Sequence, residues 1–557
     1  MRAVYQRASN TVIWVGTDDG NARDAFSLVV DLYQRNLRRK SKEATFTGSG
    51  HFGIGPIDLP QEDDTRWTSL SCFLDHAWFE RCWIIQEVVV SQADPVLLCG
   101  HYQVLWSRFQ EAMSWITKYH ARFRTDRMRL LKGIFDLSSS NDVWELQSLL
   151  HSTRAFQATD ARDKVFALFG LAGESRSPDT WPTALMPNYN RSTRDVYSEV
   201  TLYCIEKTGT LSILSQVERS SDANDDPDEP AYPSWVPRWN HPQLASSLHV
   251  YEVVKTASRW KLLTEKFSRA SKDIPASLDR DSPPGVLRLE GIRVSHVEAC
   301  LPVMSPDETS TGSSTVSLGS LARGQLLRCI PEWYELCQAR LTHLPPEKFM
   351  RAFFLVTTAG LTPEQTDTRE ESLEHIRAFL TSATNQTPYP DSDSSSMYSL
   401  RTAFKSSLGI STLTPSMSPP TSTDSLPEPR PHHRFRTHSS RSVSSAHSEP
   451  SYFPQTQADP TRYSSALTPL LHRRLFFTSS GLLGLGPAGM MSGDVVVVLL
   501  GGKVPFVLRQ VGGEGEGGQW RLIGECYVDG VMYGEMVEER DGDGERKRLE
   551  IEWFDLV

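Results

Sequence analysis

Apolar and polar positions alternate in three different ways along this chain, and the changes of rhythm divide it. "NTVIWVG" (10–16) is a run of β-branched and aromatic residues ending in glycine, which predicts a buried strand. In "DDGNARDAFSLVVDLYQRNLRR", Phe26, Val29, Val30 and Tyr33 share one helical face. A Gly/Pro/acid-rich loop follows over 44–66, then "DPVLLCGH" (94–101) reads as a second short strand. Ser107 and Gln110 have capping-box spacing and are expected to open a helix through "FQEAMSWITKYH". "VWELQSLLHSTRAF" and "ARDKVFALFGLAG" show three/four spacing; in the second, Val165, Leu168 and Phe169 align, with Gly170 or Gly173 as the stop. "STRDVYSEVTLYCIEKTG" predicts a further helix, capped by Ser192 or Thr193 and stopped by Gly209. "SDANDDPDEP" (221–230) is an acidic loop. The Pro-Trp-Pro-Trp rhythm of "YPSWVPRWN" (232–240) excludes helix and suggests an extended arm whose two indoles plug a groove. Residues 285–298 alternate well enough for one or two strands.

From 382 to 466 the aliphatic residues thin out, and Ser, Thr and Pro dominate. Such a tract buries too little to offset an ordering entropy of about 1–2 kcal/mol per residue, and disorder is expected. Its basic, Ser-rich centre, "HHRFRTHSSRSVSS" (432–445), reads as a solvated linker or as a phosphorylation-controlled docking site. Order returns at "GDVVVVLLGGKVPFVLRQ", where glycine punctuates short β-branched runs in a meander, a half-barrel or compact sheet.

Composition changes this picture in few places. The chain has 557 residues and a net charge of −10, which argues against a general nucleic-acid surface. No two of the eight cysteines have C-x-x-C spacing, so a structural zinc site has no support, and dispersed thiols suit a reducing compartment. The start lacks the apolar core of a signal peptide, and "VVVVLL" (495–500) is too short to span a bilayer. His432, His433 and His438 cluster in the linker without a scaffold for a metal. "GLGPAG" (484–489) has dinucleotide-fingerprint glycines, but Pro487 interrupts it and a strand follows, so a turn is expected.

The chemical question lies in "RCWIIQEVVV" (81–90), where Glu87 interrupts an apolar segment. As a helix over 78–90 it aligns Phe79, Cys82, Trp83, Gln86 and Val90, with apolar residues around most of the rest. A buried carboxylate needs a partner, a proton or a cleft. Two readings stand: an ion pair with an arginine such as Arg154 or Arg162, or a carboxylate at the mouth of a ligand cleft with Trp83 one turn away.

"AWFERCWIIQEVVVSQ", "ARDKVFALFGLAG", "YPSWVPRWN" and the tail "GLLGLGPAGMMSGDVVVVLLGGKVPFVLRQ…WRLIGECYVDGVMYGE", together with the opening "MRAVYQRASNTVIWVG", resemble fungal heterokaryon-incompatibility (HET) domain proteins. The resemblance implies a cytoplasmic protein of non-self recognition whose partners are proteins, itself included, and whose HET domain triggers programmed cell death. Family members carry further strand motifs before the element at which this chain begins. The resemblance therefore implies either a start upstream of Met1 or a shortened, inactive copy, and a sheet with an open edge and an apolar face. HET domains are also thought to be distantly similar to TIR domains, some of which cleave NAD+ with a glutamate four residues after a tryptophan. Trp83 and Glu87 have that spacing. By that analogy Glu87 is the catalytic carboxylate, Trp83 binds the nicotinamide or ribose face, NAD+ is the substrate, and no cofactor or metal is needed.

The expected fold is mixed α/β and α+β. It comprises a partial, distantly TIR-like HET region (1–95), a helix-rich middle with the Trp/Pro arm and short strands (96–381), a disordered linker (382–466) and a small antiparallel β module (467–557).

Overall fold

The computed structural model describes residues 2–45, 58–120, 126–138, 144–175, 181–182, 185–219, 232–248, 268–279, 281–304, 318–361, 369–385, 458–512, 518–537 and 550–557. The acidic loop at 221–230, the histidine cluster and the centre of the expected linker lie outside them.

A short helix, α1 (Arg2–Arg7), leads into β1 (Val12–Gly16), which alternates as its pattern demands: Ile13 and Val15 are buried while Val12 and Trp14 are exposed. Helix α2 (Ala22–Thr45) starts where Asp18 accepts hydrogen bonds from the amides of Gly20 (2.9 Å) and Ala22 (3.0 Å). Helix α3 (Arg66–Leu74) packs on it, with Phe26 and Phe73 edge-to-face at 4.9 Å. β2 (Val96–Cys99) runs parallel to β1, and β3 (Tyr102–Leu105) returns antiparallel to complete a three-stranded sheet. Among the described residues β1 pairs with β2 alone, and its outward side chains Val12 and Trp14 stand in solvent.

The expected helix over 78–90 is not continuous. A 3-10 turn, Ala77–Glu80, gives way to an extended Arg81, and helix α4 covers only Ile84–Val89. The cause is tertiary. Arg81 forms a β-bridge with Gln157, and the Cys82 amide donates to the Gln157 carbonyl at 2.9 Å. Helix α5 (Trp106–Tyr119) does follow, but Ser107 and Gln110 do not cap it as a box. Asp94 does so instead, accepting from the Ser107 amide (2.9 Å) and hydroxyl (2.6 Å), while Gln110 reaches the Phe135 carbonyl (3.5 Å).

Helices α6 (Asp126–Ser138), α7 (Leu146–Ser152), α8 (Asp163–Phe169) and α9 (Thr193–Thr208) build the body. α9 follows its sequence signals: the Ser192 hydroxyl accepts from the Asp195 amide at 3.1 Å, and Gly209 ends the helix at φ +65°. The strand at 285–298 proves to be β4 (Leu287–Cys300), a long strand that folds with the tail and not with the helices around it. α10 (Leu318–Arg340), α11 (Pro346–Thr357) and α12 (Arg369–Asn385) follow, with α13 (Pro460–Ser465) packed on α12, so helix enters both ends of the tract expected to be linker.

The remaining strands are β5 (Arg473–Thr478), β6 (Leu483–Pro487), β7 (Val495–Leu499), β8 (Phe506–Val511), β9 (Gln519–Glu525), β10 (Tyr527–Val528) and β11 (Ile551–Leu556). β4 pairs with β11 on one side and β7 on the other, closing a barrel in the order β4-β11-β9-β8-β7; its far half pairs with β5, which carries β6 and β10. The barrel is antiparallel except where β11 meets β9. β7 is buried on both faces because Val495, Val497 and Leu499 enter the large core and Val496 and Val498 a smaller one inside the module. "GLGPAG" is therefore β6 running into its turn, not a turn throughout. Gly484 and Gly486 are needed there because Phe476 and Met490 occupy the space a Cβ would take.

Candidate functional site

Two motifs far apart in sequence meet where α4 docks against α8. Gln86, 2% exposed, donates from Nε2 to the Ala167 carbonyl at 2.6 Å. The indole of Trp83 donates to Asp163 Oδ2 (3.1 Å), whose Oδ1 accepts from the Tyr189 hydroxyl (2.6 Å). Arg162 lies over the Tyr189 ring at 5.2 Å. The Cys82 thiol faces the Asp163 carbonyl at 3.7 Å; burial pushes it up to about 11, so it is a packed thiol and not a nucleophile.

The contact also explains Gly170. Its backbone is helical, but a Cβ there would lie 2.7 Å from Gln86 Nε2. Gly170→Ala is expected to cost about 1–3 kcal/mol, read as a lower urea midpoint, because the displaced amide is buried and already bonded. Gln86→Ala in the same chain should remove most of that cost.

Lys164 is 8% exposed and donates to the carbonyls of Arg154 (2.6 Å) and Phe156. Burial lowers it from its ordinary 10.5 to about 8. Between those values the unfolded chain holds a proton that the folded chain lacks, so this group adds stability as pH rises from about 8 and costs most below it. The parent is expected to gain roughly 1 kcal/mol on Lys164→Met between pH 8 and pH 9, measured as the difference in urea unfolding free energy.

Glu87 is half-buried, and neither arginine considered from the sequence reaches it. Arg154 points its guanidinium at the carbonyls of Gln216 (2.5 Å), His241 (3.1 Å) and Arg238 (3.2 Å). Arg162 pairs with Asp160 at 2.7 Å and with the carbonyls of Tyr189 and Arg191. Glu87 is held by a neutral donor instead: Trp78 Nε1 donates to Oε2 at 3.1 Å. Burial, and then the Glu87 charge, raise the Tyr5 hydroxyl above its ordinary value. Among the described residues no cation makes an ion pair with Glu87. The ring bonded to the acid is thus Trp78, while Trp83, which the sequence placed beside it, is committed to Asp163.

A histidine–thiol contact lies at the carboxyl ends of β1 and β2. His76 Nε2 stands 3.9 Å from Cys99 Sγ, with Nδ1 2.9 Å from the Phe73 carbonyl. Burial, then the charges of Asp18 and Asp19, push the Cys99 thiol up to about 11 and keep it protonated. Among the described residues no group of three His, Cys, Asp or Glu side chains is placed to hold a metal, and no helix is long and apolar enough to cross a membrane.

The Trp/Pro arm joins the helical body to the barrel. Trp235, 2% exposed, donates to the Gly285 carbonyl (3.0 Å); Trp239, 1% exposed, packs on Tyr197 at 4.8 Å and donates to Gln216 Oε1 (2.8 Å). Just before them Ser234 bonds to the Val557 carbonyl (2.7 Å) and the Leu522 amide (2.9 Å). The next segment, 244–248, is pinned by carboxylates: Glu218 accepts the amides of Leu244 (2.9 Å) and Ala245 (2.7 Å), and Glu525 that of Leu248 (2.7 Å). Arg473 completes the clasp, reaching the Ser246 carbonyl (2.9 Å) and Glu525 Oε1 (2.8 Å).

Sequence comparison places these features among known proteins. Residues 1–87 match the heterokaryon incompatibility protein (HET) family, a match that stops at Glu87, and residues 453–545 match the Het-6 beta-barrel domain. The second match spans β5 to β10, while β4 and β11, which close the barrel, fall outside it. Heterokaryon incompatibility protein 6, OR allele, of Neurospora crassa is 22% identical over 97% of this chain and 78% of its own length. No solved structure matches.

Proposed function

We propose that this chain, a HET-domain protein with a C-terminal Het-6 β-barrel, acts in non-self recognition between fused fungal cells and in the programmed cell death that follows. The supporting observation is that both matched segments occur in one chain aligned over 97% of its length with an incompatibility protein. The helical body and the barrel are bonded through Ser234, Trp235 and Trp239, so a change felt by one reaches the other. In this reading the protein works in the cytoplasm and its partners are proteins, further copies of itself included. Regulated expression in filamentous heterokaryons of unlike strains tests it. Growth arrest with dye uptake is expected; unchanged growth in every pairing, with folded protein accumulating, would overturn it.

A second reading concerns the acid itself. Glu87 is half-buried, accepts a hydrogen bond from the Trp78 indole and makes no ion pair among the described residues. A carboxylate so held suits stabilisation of the oxocarbenium-like ribose formed when the bond to nicotinamide breaks and water adds. In that reading Trp83 stacks on the NAD+ substrate. Nicotinamide release from NAD+ by the purified chain, absent in Glu87→Ala, is the expected result; equal release from both would remove it.

A further inference from the structure

We propose that this chain joins copies of itself head to tail, the basic face of α2 and α5 on one copy receiving the acidic loop 221–230 of the next. This rests on the reading that its partners include further copies of itself, and it names the two surfaces. Along α2 the stretch 32–42, "LYQRNLRRKSK", holds five basic residues and no acid, in a chain with 68 acidic and 58 basic residues. The fold gathers that charge beside the end of α5. Arg39 and Lys118 come over the same ring, Tyr119, at 4.8 and 4.9 Å from its centroid. Arg38, Lys40 and Lys118 are exposed. Glu111 answers Lys40, but among the described residues Arg38 and Lys118 make no ion pair. Such a face suits a short anionic partner. A membrane or a nucleic acid would bring its charge against the rest of a chain whose net charge is −10. "SDANDDPDEP" (221–230) matches the face in length and sign, with five carboxylates and no basic residue. It leaves from the junction of body and barrel, where Glu218 bridges to Gly524 and the buried Tyr232 ring lies under Arg238 at 5.1 Å. α2 and α5 pack instead against α3, β3 and α6. A stretch such as 220–231, held at both ends, reaches no further than roughly 20 Å, half its extended length. Two unlike surfaces on separate elements that join copies make an open chain or a ring, not a two-fold pair.

Sedimentation of the full chain reads this directly. Mass should rise with concentration beyond that of a dimer at low salt, and fall back to that of one chain at high salt. Arg38→Glu with Lys118→Glu reverses the face; Asp225→Lys with Asp226→Lys reverses the loop. Each pair of changes should weaken association by more than roughly ten-fold, with an unchanged melting curve. Mixing the two variants should restore it, since each then offers the charge that the other lacks. A parent that stays monomeric at low salt, or that instead binds phosphatidylserine vesicles through the same face, would overturn the proposal. So would variants that associate like the parent, or a mixture that stays apart. Association that survives in both variants leaves self-association standing and removes only these surfaces, while growth arrest in unlike pairings tests the incompatibility reading separately.

Discussion

Arg473→Met should lower the stability of the fold by about 3–5 kcal/mol, the largest single effect expected of any charged residue described above. Arg473 and Glu525 are 4% and 2% exposed at the side chain and lie 2.8 Å apart. Taking away the cation leaves Glu525 as a buried carboxylate with one amide for company, and it strips the Ser246 carbonyl of its donor. Burial already raises the Glu525 carboxyl above its ordinary range. Without Arg473 that rise grows, so the folded variant takes up a proton that the unfolded chain gives away. Its stability is then greatest below the ordinary glutamate range and falls as pH rises, and the damage should be smaller at pH 5 than at pH 8. Urea unfolding followed by tryptophan fluorescence at the two pH values checks both statements. Arg473→Met with Glu525→Leu should recover most of the loss, because what costs is the unpaired charge and not the missing pair. A double variant as unstable as the single one would mean that the strap at 244–248, rather than the ion pair, carries the energy.

Trp239→Ala should cost a comparable 3–5 kcal/mol, and it should do so at the junction of body and barrel. The indole fills space beside Tyr197, and its N–H serves Gln216, a side chain with no access to water. Trp239→Phe separates the two contributions. It keeps a ring against Tyr197 but leaves Gln216 Oε1 without its donor, for a loss of about 1–3 kcal/mol. Limited proteolysis gives the location: Trp239→Ala should release a barrel fragment from the helical body before either part unfolds, whereas the parent should resist until both go. Loss confined to general stability, with no early cleavage between body and barrel, would mean that Ser234 and Trp235 suffice to hold the junction.

The parts of this fold that are legible in the sequence are those fixed by neighbours in the chain. α9 announces itself through Ser192 and Gly209, α8 through Val165, Leu168 and Phe169, and β1 through its branched residues. The proline rhythm of 232–240 correctly excludes helix, and both indoles are buried, but the backbone there turns twice, with the Val236 amide on the Pro233 carbonyl and the His241 amide on the Arg238 carbonyl, and does not run as an extended arm. What the pattern hides is set by partners distant in the chain. Nothing around Arg81 says that Gln157 will pull it into a bridge and split the helix, and nothing around Ser107 says that Asp94 will supply the cap. β4 alternates like any strand, yet its partners come from the last hundred residues. The acid was found because a charge amid apolar residues must be answered by something. That the answer is the Trp78 indole was not readable, since its ring packs as an apolar group and its single N–H leaves no mark on the pattern.

The strand at 287–300 also sets an order of events during synthesis. The first of its partners to be made, β5, begins at Arg473, 173 positions after β4 ends at Cys300, as 473 − 300 gives. At 5–20 residues per second that is a wait on the order of 10–30 s. The body can pack early, but through that interval the nascent chain carries an unzipped ribbon of leucine, isoleucine and valine, open to any chaperone or to a neighbouring copy on the same message. Translation speed over the intervening stretch is therefore part of what decides how much of this protein matures.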